Sequence, residues 1–169
     1  TFFQTTHVPA IALAAEIAKL APGDLNHVFF AGSGSEANDT NIRLVRRYWD
    51  VKGMPWRKTI IARWNGYHGS TMGGGSLGGM KPIHAHGGKI DGIEHIDQPD
   101  WWSEGGDMTP DDFGLARARQ LEEKILQLGP DNVAAFIGEP VQGAGGVIIP
   151  PVTYWPEIQR ICDKYGILL

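Results

Sequence analysis

A serine–glycine–serine turn, Ser33-Gly34-Ser35, follows the apolar run Val28-Phe29-Phe30-Ala31 and leads straight into Glu36-Ala37-Asn38, a segment of helical character. That order aims the amide N–H groups of a helix start, and the positive end of its dipole, at one point, which suits a phosphate dianion. An ordinary turn with an N-cap serine is the plainer reading of the same residues. Two further stretches carry chemistry-bearing types after apolar runs. Trp64-Asn65-Gly66-Tyr67-His68-Gly69 follows Thr59-Ile60-Ile61-Ala62, and Glu139-Pro140-Val141-Gln142-Gly143-Ala144-Gly145-Gly146 follows Val133 to Gly138. A tyrosine face at position 67 could stack on a flat ring whose phosphate sits at Gly34. Taken alone, Tyr67 also suits simple packing.

The elements that must position these residues follow from periodicity and punctuation. Thr6-His7-Val8-Pro9 opens a helix that runs on from Ala10 to Ala21, and Pro22-Gly23-Asp24 stops it. Short strands are expected at Val28–Ala31, Thr59–Ala62, Ile93–Ile96 and Val133–Gly138, with a fifth beginning at Leu168-Leu169. Helices are expected over Ser35–Trp49, with Ala37, Asn41, Leu44, Val45 and Tyr48 inward, and from Thr153 to Gly166. Another starts at Thr109-Pro110-Asp111-Asp112, a strong N-terminal signal, and ends at Gly129-Pro130. Residues 66–92 hold ten glycines and read as an ordered loop that packs closely on something, and Asp97–Met108 as a polar and aromatic loop. Strands alternating with helices define an α/β layered sheet. In such sheets the loops at the carboxyl ends of the strands converge on the ligand, and all three special stretches follow strands.

Composition narrows the function. The 169 residues suit one domain, hydrophobic types make up 42% and charged types 20%, and the formal net charge is −4, without a basic block for nucleic acid. Cys162 is the single cysteine, so one chain can build neither a disulfide framework nor a cysteine-based zinc site. His84-x-His86 lies in the glycine-rich loop without a nearby acid and reads as a pair of exposed loop histidines; no metal site is expected. No apolar run approaches the ~20 residues of a membrane span, no signal peptide is visible, and a cytoplasmic location is the expectation. The chain opens at Thr1 without Met and ends on an apolar run, so an internal fragment, incomplete at both ends, is expected. Gly32-x-Gly34-x-x-Ala37 also matches a Rossmann-like dinucleotide fingerprint. An acid should then end the next strand to hold a ribose hydroxyl. Arg63-Trp64 stands there instead; an arginine could still meet a 2′-phosphate.

Together, Ser33-Gly34-Ser35-Glu36-Ala37, Trp64-Asn65-Gly66-Tyr67-His68-Gly69 and Glu139–Gly146 resemble the class III, fold type I pyridoxal-phosphate aminotransferases. Phe2-Phe3-Gln4-Thr5-Thr6-His7 and Pro150-Pro151-Val152-Thr153-Tyr154-Trp155 resemble the ω-amino acid or amine:pyruvate subgroup. The resemblance implies that residues 1–169 are part of a cofactor-binding large domain, a three-layer fold with a mostly parallel sheet, with no second domain in this chain. It implies pyridoxal 5′-phosphate as cofactor, an amine or ω-amino acid donor, pyruvate or another 2-oxo acid as acceptor, and a homodimer with the site at the interface. By position, Ser33, Gly34 and Ser35 would hold the phosphate, Tyr67 would stack on the ring with His68 beside it, and Glu139 would sit close to the cofactor. Phe2, Phe3 and Ala144 would line the substrate pocket. Relatives acting on ornithine or γ-aminobutyrate carry a glutamate where Ala144 stands, so a methyl group there implies an apolar pocket. The Schiff-base lysine and the aspartate at the ring nitrogen match none of the residues here, including the seven lysines, and are expected beyond Leu169. The 169 residues alone are therefore expected to be inactive. Another class III pyridoxal-phosphate enzyme, or less readily a dinucleotide- or phosphate-binding module, is the alternative.

Overall fold

The computed structural model describes residues 5–169. They fall in two compact units, one running through Gly32 and the other Ser33–Leu169. The first contains helix α1, Val8–Leu20. His7 caps it, its Nδ1 accepting from the Ala10 amide at 3.1 Å, and Pro9 lies in the first turn where no N–H is required. Val28–Ala31 is not a strand: it belongs to no ladder among the described residues, and Phe29 and Phe30 are exposed. An apolar run alone does not make a strand; its amides need a neighbouring ladder. Phe2 and Phe3 lie outside the described residues.

The second unit is built on a parallel sheet of β1 (Thr59–Arg63), β2 (Ile93–Ile96) and β3 (Val133–Phe136), in the order β2-β1-β3. Ile60 pairs with Ile93 on one side of β1, and Ile61 with Phe136 on the other. Leu168 extends the sheet beyond β3: its amide donates to the Ala134 carbonyl at 3.1 Å, and its carbonyl accepts from Phe136 at 2.8 Å. The expected fifth strand is therefore present as a single bridge.

Both faces of the sheet are covered. Helices α6 (Pro110–Leu128) and α7 (Tyr154–Tyr165) bring Leu121, Ile125, Ile158 and Ile161 against Ile61 and Phe136. Helix α2 (Gly34–Val51) and the short α3 (Met72–Leu77) bring Ile42 and Leu77 against Ile60, Ile93 and Ala135. The inward face of α2 is rotated from the expected one. Ile42 and Trp49 are buried, whereas Leu44 and Tyr48 are exposed, because Trp49 reaches the sheet and donates from Nε1 to the Ala134 carbonyl at 3.0 Å. The glycine-rich stretch is ordered, as expected, and it carries two short helices, α3 and α4 (Lys81–Ala85). The loop after β2 likewise carries a helical turn, α5 (Trp101–Glu104).

The caps match the residue types. Thr109 Oγ1 accepts from the Asp112 amide at 3.2 Å at the start of α6, and Gly166 (φ +60°) closes α7 in the left-handed conformation. At the amino ends of the strands the buried Arg57 donates to the carbonyls of Val133 and Tyr165 at 2.9 and 3.0 Å. Its guanidinium lies 4.0 Å from the Trp49 ring centre. The strand order makes a switch point. The chain leaves the carboxyl end of β1 toward β2 on one side, and leaves β3 toward Leu168 on the other. The crevice between those diverging loops is where such sheets bind ligands.

Candidate functional site

The amino end of α2 forms the first part of the site. Ser33 is its N-cap, in extended conformation, and its Oγ accepts from the Glu36 amide at 3.2 Å. The helix that follows is 18 residues long, so its dipole is fully developed at Gly34 and Ser35. A Cβ built on Gly34 would meet no heavy atom within 4 Å, so this end opens into free space. Capped serine, open glycine and first-turn amides together fit a phosphate. Ser35 faces the other way: its Oγ accepts from the Ser70 amide at 3.1 Å.

That contact joins the helix to the loop after β1. The loop is laced to α2 twice more. Asn38 Nδ2 donates to the His68 carbonyl at 2.8 Å, and Asp39 Oδ1 accepts from Thr71 Oγ1 at 2.8 Å and from the Gly74 amide at 3.1 Å. The approach is close enough to exclude any side chain at Gly69 (φ +123°), where a Cβ would lie 2.5 Å from Ser35 Oγ and 2.8 Å from Ser35 Cα. Tyr67, carried by this loop, leaves 45% of its surface exposed and offers an accessible aromatic ring. His68 is buried; burial holds its pKa below the usual histidine value, with Glu139 pulling it up and Arg63 pushing it down.

The loop after β3 closes onto the same segment. Glu139 Oε1 accepts from the Tyr67 amide at 3.0 Å, and its Oε2 accepts from the Gly143 amide at 2.9 Å. One carboxylate thus clamps the ring-bearing loop to the loop that carries Ala144, which is exposed. Arg63 Nη2 donates to the Glu139 carbonyl and fixes the same residue from below. The Arg63 side chain is itself 1% exposed, its guanidinium 5.3 Å from the Trp155 ring centre and 5.7 Å from that of Tyr154. An arginine so enclosed is not placed to meet a ribose 2′-phosphate.

Ser33, Gly34, Ser35, Tyr67, His68, Glu139 and Ala144 therefore lie on three chain segments joined by direct hydrogen bonds. Phe2 and Phe3 are not described. The bonds by which Asn38, Asp39 and Gln142 hold these loops together are not legible in the sequence. Polar residues just inside a helix start and within a glycine-rich turn carry a weak signal, because their partners lie 30 to 78 positions away. His84 departs from the expectation of an exposed loop residue. Its Nε2 lies 2.7 Å from the Gly78 carbonyl, which His95 Nε2 shares at 3.0 Å, and His95 stacks on Trp64 with ring centres 4.5 Å apart. Both imidazoles fasten the Leu77–Gly79 turn that backs the Tyr67 loop, where the Asn65 amide donates to Gly79 at 3.1 Å and the Gly79 amide to Gly66 at 2.9 Å. Among the described residues no group of His, Cys, Asp or Glu could hold a metal ion, and no helix is long and apolar enough to cross a membrane. Several lysines are engaged elsewhere: Lys19 with Glu16, Lys164 with Glu122, and Lys89 with the Ile93 carbonyl.

An open, capped helix end at the switch point of a parallel sheet is thus joined by a hydrogen bond to the loop that carries an exposed tyrosine. The class-III aminotransferase family model matches residues 1–169, and the chain belongs to that family. A putrescine–pyruvate aminotransferase of Pseudomonas aeruginosa is 63% identical over 168 residues, covering 99% of this chain and 37% of that enzyme. The β-alanine–pyruvate aminotransferase of the same organism is 41% identical over 171 residues, covering 99% and 38%. Among solved structures, an (S)-enantioselective ω-transaminase from Thermomicrobium roseum superposes with a TM-score of 0.94 at 43% identity, covering 99% of this chain and 38% of that one. An amine transaminase from an uncultivated Pseudomonas species, in its PLP-bound form, gives 0.89 at 38% identity, covering 99% and 39%. The chain thus spans well under half the length of the relatives it matches. The fold is that of part of these transaminases.

Proposed function

We propose that the protein containing this chain is a pyridoxal-phosphate-dependent aminotransferase that moves an amino group from an amine or ω-amino acid to pyruvate or another 2-oxo acid. Residues 1–169 contribute the phosphate- and ring-binding half of its site within the large domain. The observation that carries this reading is the joining of the open, capped end of α2 to the tyrosine loop through Ser35 Oγ and Ser70. It couples a phosphate site to an aromatic face. The relatives described above, two of them named for pyruvate, support the acceptor.

The residues divide the work by position. The amides of Gly34 and Ser35, at the positive end of α2, neutralise the phosphate. The Tyr67 face holds a flat ring in one plane, with its backbone fixed by Glu139. His68, uncharged because it is buried, adds bulk beneath the loop without a competing charge. Pyridoxal phosphate, once bound, supplies the electron sink that stabilises carbanion character at the carbon bearing the amino group. Ala144 presents only a methyl group to the donor side. The lysine and the ring-nitrogen aspartate that the chemistry also requires come from chain beyond Leu169. Residues 1–169 alone are inactive. The assembly is a cytoplasmic homodimer; Val8, Ile11, Leu13 and Leu20 of α1 are among the exposed apolar side chains.

The test is alanine formation from pyruvate by the full-length protein with pyridoxal phosphate and a panel of diamines, ω-amino acids and arylalkylamines. Strict dependence on both pyruvate and cofactor is expected. Cofactor-dependent release of carbon dioxide, or isomerisation of the donor without consumption of pyruvate, would assign another class III activity instead. Borohydride trapping of cofactor on any of the seven lysines of residues 1–169 would overturn the placement of the reactive lysine.

A further inference from the structure

Gln142 stands in the neck of the loop that carries Ala144 and is 1% exposed. Its backbone closes that neck: the Gln142 amide donates to Ile148 at 3.0 Å and the Ile148 amide donates back at 2.9 Å. Between them, Gly146 and Val147 both donate to the Gly143 carbonyl, at 3.2 and 3.0 Å. The turn is tight enough to hold Val147 at φ +55°, a conformation that a β-branched residue adopts only when its surroundings impose it. What imposes it lies on the neighbouring loop. Gln142 Nε2 donates to the Trp64 carbonyl at 3.1 Å, and Gly145 packs so closely on the Asn65 carbonyl that a Cβ there would overlap it. Trp64 is fixed in turn, its amide donating to Ile96 of β2 at 2.9 Å. Asn65, also left-handed at φ +57°, is tied to Gln98 Oε1 at 2.9 Å.

We propose that Gln142 is a positioning residue that sets donor selectivity by seating the 143–147 loop, and with it Ala144, on the Trp64–Asn65 turn. The proposal rests on the reading of Ala144 as a wall of the substrate pocket. Glu139 clamps both the tyrosine loop and the Ala144 loop, so its loss disturbs cofactor and substrate together. Gln142 differs. Its side chain reaches only the Trp64 carbonyl, which belongs to the sheet-anchored end of the turn, so its loss frees the substrate loop while Tyr67 stays held by Glu139.

The experiment compares Gln142→Leu and Ala144→Leu in the full-length holoenzyme, using a short diamine and a bulky arylalkylamine as donors. Gln142→Leu fills the same space and leaves the part-buried Trp64 carbonyl without its Gln142 donor, which corresponds to about a tenfold change in an equilibrium. The expected result is a change of about fivefold or more in the ratio of kcat/KM for the two donors, carried by KM. The cofactor dissociation constant stays within about twofold of the parent. Gln142→Glu places an acceptor against the same carbonyl, gives the same signature, and serves if the leucine variant does not fold. An unchanged donor ratio in a folded Gln142 variant overturns the proposal, as does an equal loss for both donors accompanied by weakened cofactor binding. Ala144→Leu separates the two layers: an unchanged ratio there refutes the pocket reading itself. A changed ratio in Ala144→Leu with none at Gln142 refutes the clamp alone.

Discussion

Glu139 shows how much of the site one side chain organises. Its two carboxylate oxygens accept from Tyr67 and Gly143, two amides 76 positions apart in the chain, and its carbonyl accepts from Arg63. Amides bonded to a charged acceptor are among the stronger hydrogen bonds in proteins, at about 1.5–3 kcal/mol each. Glu139→Ala should therefore weaken pyridoxal phosphate binding by about tenfold or more, read by absorbance titration of the full-length protein. Glu139→Gln keeps one acceptor and should lose less. Removing the carboxylate also removes the negative charge that offsets Arg63 at His68, so the imidazole should stay neutral to lower pH, measurable by NMR titration. Equal cofactor affinity in parent and Glu139→Ala would mean that Tyr67 does not depend on this clamp.

At the scale of elements, the site exists because α2 and the loop after β1 approach within the radius of a hydrogen bond. Gly69 and Gly34 make opposite predictions there. Gly69→Ala forces a methyl against Ser35 at a backbone angle that L-residues avoid, and should cost about 2 kcal/mol or more of stability. Gly34→Ala meets nothing within 4 Å and should leave stability within about 0.5 kcal/mol while impairing approach of the phosphate to the helix amides. Thermal melts and cofactor titration of the two variants check the pair; a stable Gly69→Ala protein would refute the close packing. Parts of this were legible beforehand because they are local. Ser33, Thr109 and Gly166 cap helices by their own chemistry, and the strands at Thr59, Ile93 and Val133 are short apolar runs bounded by polar residues or turns. Two things were not legible. The glycines at 69, 73 and 74 read as an ordered loop that packs closely on something, but not as packed on Ser35, Asp39 and the His68 carbonyl, nor as holding the short α3 despite its poor helix formers. Val28–Ala31 reads as a strand from its composition alone, but strand formation depends on a neighbour that composition cannot supply. The turn that follows it was correctly placed, because a capped helix start needs only its own residues.

Across the whole molecule, the sheet separates two buried ionisable groups that make stability depend on acid in different windows. On the α3 side, His95 is buried against Trp64 and the Leu77–Gly78 carbonyls, and burial pushes its pKa down to about 4. The unfolded chain takes up that proton near pH 6.5, so the folded state binds fewer protons between pH 6.5 and 4 and is destabilised as pH falls through that window, by up to ~3 kcal/mol. On the α7 side, Arg160 and Arg119 hold Glu157 at about 2, with Arg160 the larger influence. Its carboxylate stabilises the fold above pH ~4.5 and loses that contribution as pH falls toward 2; both arginines are about half exposed, so solvent screening limits it to ~1–2 kcal/mol. Denaturant unfolding of the full-length protein at pH 7.5, 5 and 3 should therefore show a loss between the first two values that His95→Gln reduces and Glu157→Gln leaves intact. Glu157→Gln should instead lower stability already at pH 7.5 and lie closer to the parent at pH 3. Parallel curves for parent and His95→Gln between pH 7.5 and 5 would mean that the imidazole is solvated, and that the turn backing the Tyr67 loop is looser than its shared Gly78 carbonyl implies.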